Sequence, residues 1–164
     1  MTVDLTPPVA GYVQDTSVPC HDMKLCQLVA GDADDGTGEA DFQSSDSQLA
    51  GHWSDWYDEE SVITEYRFAI SNCVDTNFFI PFTPVRLDQC LSTVLHPNVA
   101  NVLQPSRCSS YTELQLVANR SYCLHVRGYN EVGLFSESVS DGIIVDGDAP
   151  GALCTVSYIV VMAG

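Results

Sequence analysis

The residues best placed to do chemistry lie in one acidic stretch, Asp32-Ala-Asp34-Asp35-Gly36-Thr-Gly38-Glu39-Ala-Asp41. Carboxylates one and two residues apart, with glycines for tight turns, are what a hard, oxygen-seeking cation requires. Asp32, Asp34, Asp35, Glu39 and Asp41 are therefore candidate calcium ligands, and a solvated acidic loop is the alternative reading. The stretch is no EF-hand, because the loop glycine and the closing glutamate stand in the wrong places. Residues 25–66 hold 11 of the 22 acidic groups and no Lys or Arg. Asp4, Asp146 and Asp148 could add ligands at the seams between neighbouring modules. With a net charge of −16 the chain repels nucleic acid and anionic lipid and favours divalent cations.

Nucleophilic catalysis finds less support. Ser, His and Asp are present, but no Gly-x-Ser-x-Gly elbow links a strand to a helix. The four histidines are scattered, without metal-ligand spacing. His52, beside Trp53, and His125, between Cys123 and Arg127, are expected to face outward as surface histidines. The chain is not expected to be an enzyme.

Seven cysteines, at 20, 26, 73, 90, 108, 123 and 154, are many for a reducing compartment, and none forms a Cys-x-x-Cys pair. Proximity in sequence favours Cys20–Cys26 and Cys90–Cys108 bridges, and several buried thiols are the alternative. Asn119-Arg120-Ser121 is an acceptor triplet for N-glycosylation. Together these point to a secreted or cell-surface setting. No apolar run reaches the roughly 20 residues that span a bilayer. No signal peptide precedes Thr2, so the chain is expected to be a piece of a longer protein.

The elements that must position these groups read as strands. Short alternating or apolar runs at 9–14, 47–53, 63–71, 78–82, 110–117, 121–129 and 142–145 are divided by Gly, Pro, Asn and Asp, with almost no helical periodicity. Seven such strands predict an all-β fold of two packed antiparallel sheets. Residues 15–46 and 83–109 exceed ordinary turns, and their cysteines suggest disulfide-stapled insertions.

Leu49 and Trp53 share a strand face, as do Tyr66, Phe68 and Ile70. Leu116 stands six residues before Tyr122, after which Leu124 and Val126 alternate toward Asn130-Glu-Val-Gly133. This series resembles the fibronectin type III pattern over residues 47–71 and 114–146. The resemblance implies a sandwich related to the immunoglobulin fold, with Leu49, Trp53, Tyr66, Phe68, Leu116, Tyr122, Leu124 and Val126 in the core. It makes Tyr122 a corner tyrosine bonding back near Leu116. It also sets Cys73 and Cys123 on neighbouring strands, where they could bridge. Trp53-Ser-Asp-Trp56-Tyr57 nearly spells the Trp-Ser-x-Trp-Ser box of cytokine receptors, but it lies on the second strand and ends in Tyr57, so it reads as coincidence.

Residues 3–10 and 145–152 share Val, Asp, Pro and Ala at matching positions, 142 residues apart. That echo suggests a tandem array: linker 1–8, domain 9–146, and 147–164 as linker and first strand of a following repeat. Cys154 would then belong to that repeat. The expected function is a structural or adhesive extracellular repeat whose partners are its neighbours. The alternative is a calcium-assisted carbohydrate-binding module, with Trp56, Tyr57, Phe78 and Phe79 stacking on sugars. The uncharged strand at 155–161 could add to the edge of another copy and give a homo-oligomer or filament.

Overall fold

The computed structural model describes residues 4–16, 41–75, 77–85, 91–95 and 103–147, with the backbone alone at 91–95 and 103–106. Among these residues ten strands run in chain order: β1 (Tyr12–Thr16), β2 (Phe42–Gln43), β3 (Leu49–Ser54), β4 (Ile63–Asn72), β5 (Phe78–Pro84), β6 (Leu91–Leu95), β7 (Leu103–Tyr111), β8 (Arg120–Asn130), β9 (Phe135–Val139) and β10 (Ile143–Val145). No helix occurs among the described residues. One sheet has the order β1-β3-β7-β6; the other has β2-β10-β8-β4-β5, with β9 also on β8. Every pairing among the described strands is antiparallel except β2 with β10. The described residues form an all-β, two-sheet sandwich.

The core follows from strand alternation. Trp53 on β3 packs against Tyr66 and Phe68 on β4, with ring centroids 5.6 and 6.2 Å apart. Leu49, Ile70, Leu124, Val126 and Ile143 fill the space between the sheets and are completely buried. Leu116 and Tyr122 are buried at its end, where the Tyr122 hydroxyl accepts a hydrogen bond from the Val117 amide at 2.9 Å. Gly51 faces the Leu124 side chain so closely that any β-carbon would collide with it.

The first sequence-predicted strand, 9–14, is displaced: Val9 makes only an isolated bridge to Tyr57, and β1 runs Tyr12–Thr16. The predicted strand at 110–117 lies instead at Leu103–Tyr111, most of it within the segment read as an insertion. That segment also holds β6. Prolines hid both strands. Pro105 is tolerated because β7 there pairs only with β6, β3 joining it from Arg107 onward. The short β2 and the Ser- and Glu-containing β9 were missed because neither carries an apolar alternation.

Asp4 to Pro8, read as linker, are tied to the end of the sandwich: Glu60 Oε2 accepts from the amides of Leu5 and Thr6, and Ser136 donates to the Pro8 carbonyl.

Candidate functional site

The outer face of the larger sheet carries a connected polar arrangement. Outward residues of β4, β8 and β9 meet there: Ser71, His125, Arg127 and Glu137. Ser71 Oγ lies 2.8 Å from His125 Nε2, and His125 Nδ1 lies 2.9 Å from Glu137 Oε1. Glu137 Oε2 also accepts from Arg127 Nε at 2.8 Å. Burial works against the Glu137 charge, but the bonds from His125 and Arg127 outweigh it and hold its carboxyl below the ordinary value. The ionised carboxylate is an acceptor only, so Nδ1 carries its hydrogen toward Glu137.

An aromatic roof closes this relay. Phe78 and Phe82 of β5 sit edge-on to the His125 ring, at 4.8 and 6.3 Å. Arg127 stacks over Phe82 at 3.7 Å and over Phe135 at 4.8 Å. Serine, histidine and acid thus stand in the order that activates a nucleophile. Ser71 is nevertheless completely buried, so no carbonyl carbon can approach Oγ. What this arrangement does is satisfy a buried polar network and pin three strands together.

Both histidines therefore differ from the surface reading. His125 does lie on the outer face, but the roof buries it. His52 is buried on the outer side of β3, with Nε2 2.8 Å from Gln14 Oε1. Its Nδ1 has no hydrogen-bond partner among the described residues, and burial drives its pKa from 6.5 down to about 4. The relay escaped sequence reading because Ser71 and Glu137 stand 54 and 12 residues from His125, beyond the reach of any linear motif.

A second cluster occupies the end of the sandwich where β8 finishes. Asn130, buried, donates through Nδ2 to Asp4 Oδ2 (2.9 Å), Asp58 Oδ2 (3.2 Å) and the Thr6 carbonyl (3.1 Å), and its Oδ1 accepts from the Leu134 amide. Ser61 Oγ donates to Asp4 Oδ2 as well. At Asp58, slight burial is outweighed by the Glu60 and Ser61 amides and the Asn130 side chain, which hold its carboxyl low. The Leu5 amide, with the Thr6 hydroxyl, does the same for Glu60.

Of the calcium candidates, Asp32, Asp34, Asp35 and Glu39 lie outside the described residues. Asp41 is exposed, and its carbonyl accepts from the Ile144 amide at 2.8 Å. Among the described residues no three His, Cys, Asp or Glu side chains are grouped to hold a metal ion. Asp4 and Asp146 stand at opposite ends of the sandwich, the first on Asn130 and the second after β10, and Asp148 lies outside the described residues.

The proposed sugar platform does not assemble. Trp56 packs edge-on against Tyr66, whereas Phe78 sits at the far end of β4 opposite Ser71. Phe79 turns to the other face and packs on Tyr122. Tyr57 is exposed, as are Phe78 and Phe79, but these side chains do not share one face.

Cys73 and Cys123 form a disulfide with Cα atoms 5.1 Å apart, outside both long segments. Cys108 is buried opposite His52, and Cys20, Cys26, Cys90 and Cys154 lie outside the described residues. Asn119 is exposed in a left-handed turn (φ 60°) just before β8.

The fold and its polar face define a β-sandwich module. No protein-family model matches the chain, and no curated protein matches it. Among solved structures it is similar to titin module A71 from human cardiac muscle, at 18% identity and a TM-score of 0.40, over 66% of this chain and 88% of that one.

Proposed function

We propose that the chain is a structural module of a larger extracellular protein, set in line with others of its kind, and not an enzyme. The path of the chain carries this reading. Asp4 is bonded to Asn130 where β8 ends, and Val145 pairs with Arg120 where β8 begins. Eleven residues of strand, about 33 Å at the usual rise, separate where the chain arrives from where it leaves. Opposite ends suit a linear array, and the echo of residues 3–10 in 145–152 supplies its period.

The Cys73–Cys123 bridge and the exposed acceptor Asn119 favour the secretory route, with Asn119 glycosylated. Calcium held by Asp32, Asp34, Asp35, Glu39 and Asp41 would stabilise the acidic segment. The long segment between β1 and β2 is where adhesive specificity is expected. Strand addition through 155–161 gives self-association; deleting residues 151–164 and weighing the protein in solution tests it.

A glycan array, probed with and without EDTA, tests the reading itself. A structural module gives no signal in either state. A signal that EDTA abolishes would replace this account with a carbohydrate-binding one.

A further inference from the structure

β9 is an edge strand with one side open. The Ser140 amide donates to the Leu124 carbonyl and the Asn130 amide to the Leu134 carbonyl, so the even-numbered residues from Leu134 to Ser140 turn their backbone groups toward β8. The amides and carbonyls of Phe135, Glu137 and Val139 therefore point the other way, where no described strand meets them. Exposure agrees with this. Glu137 is exposed as a residue although only 28% of its side chain is, which leaves its main chain facing solvent. Phe135 and Val139, 44% and 45% exposed, stand on the same outward face.

The guards that close other edges are missing here. β5, at the far edge of the same sheet, carries Pro81 and Pro84, which offer no amide to an incoming strand. β9 reads Phe-Ser-Glu-Ser-Val, with no proline, glycine or lysine. Further along the same side of β8, the sheet already accepts an added strand. There β2 lies on the outer edge of β10, and the Asp41 and Gln43 carbonyls take the Ile144 and Asp146 amides.

Charge selects the occupant. At −16 the chain repels a second copy of itself and attracts cations. We propose that the open edge of β9 takes an extended basic strand of a partner protein by strand addition. Lysines or arginines in that strand draw it in over distance, and apolar residues at alternate positions lie beside Phe135 and Val139. The bonds that hold it are backbone ones, so Glu137 keeps its ties to His125 and Arg127. This site goes beyond the in-line reading and stands without it.

The probe is the acetylated and amidated peptide Lys-Val-Ser-Thr-Ser-Val-Lys, added to the isotope-labelled chain at low salt and followed by NMR. The amide protons of Glu137 and Val139 should move downfield and become protected from exchange, and the shifts should shrink as salt is raised. The same peptide with Glu in place of Lys should shift neither. Val139→Pro removes one outward amide and no bond to β8, so that variant should melt like wild type and lose the binding. If it does not fold, a lysine peptide with two adjacent prolines at its centre puts the same question from the other side, and it should not bind. Amides of Glu137 and Val139 that stay unmoved by the lysine peptide, or move equally with the glutamate one, would overturn the proposal. So would protection of these amides in a peptide-free chain of dimeric mass, which would make a second copy the occupant.

Discussion

Trp53 of β3 and Tyr66 of β4 lie in different sheets, their rings 5.6 Å apart and tilted by 57°. This contact, extended by Phe68 and by the stacking of Phe68 on Tyr111, joins the two sheets through aromatic area. Trp53→Ala leaves a cavity that no neighbouring strand can close. The expected loss is about 3–5 kcal/mol in denaturant unfolding. A loss below about 1 kcal/mol would mean that Trp53 is not what holds the sheets together.

Acid should weaken the fold through His52. Burial lowers the pKa of His52 to about 4 in the folded chain, against 6.5 when unfolded. Below 6.5 the unfolded chain takes up a proton that the folded one refuses, so stability falls as pH drops toward 4. The full difference corresponds to about 3 kcal/mol. Glu137, held below its ordinary value of 4.5, acts in the window beneath: its contribution is present above that pH and lost as pH falls through its lowered value. Stability measured from pH 7 to pH 4 should slope downward in wild type and flatten in His52→Gln. Parallel slopes in the two proteins would contradict the assignment.

The Cys73–Cys123 bridge spans a sequence separation of 50 residues. On the chain-entropy account such a loop restricts the unfolded state by about 4 kcal/mol. The double variant Cys73→Ser, Cys123→Ser should lose stability of that order without reductant. Equal unfolding midpoints would show that the bridge constrains little.

Much of this arrangement was legible in the residues, and the limit has a physical cause. Leu49, Trp53, Tyr66, Phe68, Leu124 and Val126 announce themselves because burial on one strand face imposes a period of two. The Leu116 to Tyr122 spacing likewise marks the turn where the Tyr122 hydroxyl meets the Val117 amide. β6 and the start of β7 were hidden because prolines read as breakers, although an unpaired strand side accepts one at Pro105. The Ser71, His125 and Glu137 relay was illegible for another reason. Alternation correctly sends His125 outward, but only the tertiary placement of Phe78 and Phe82 turns an outward face into a buried one.

Calcium is tested by heat. A cation present at 100 times its dissociation constant would add about 2.7 kcal/mol. Melting in millimolar calcium should therefore exceed melting in EDTA, and an Asp34→Ala, Asp35→Ala double variant should remove the difference. Identical curves with and without EDTA would leave residues 32–41 as a solvated acidic segment.

The central claim is that this sandwich is one of a series set end to end. Peptide mapping by mass spectrometry of the natural polypeptide that carries this segment tests it most directly. The account predicts a further module beginning at Val145, in which a Leu-x-x-x-Trp strand and a Tyr-x-Leu-x-Val strand recur at about the 142-residue interval separating Val3 from Val145. Flanking peptides without that pattern on either side would contradict it.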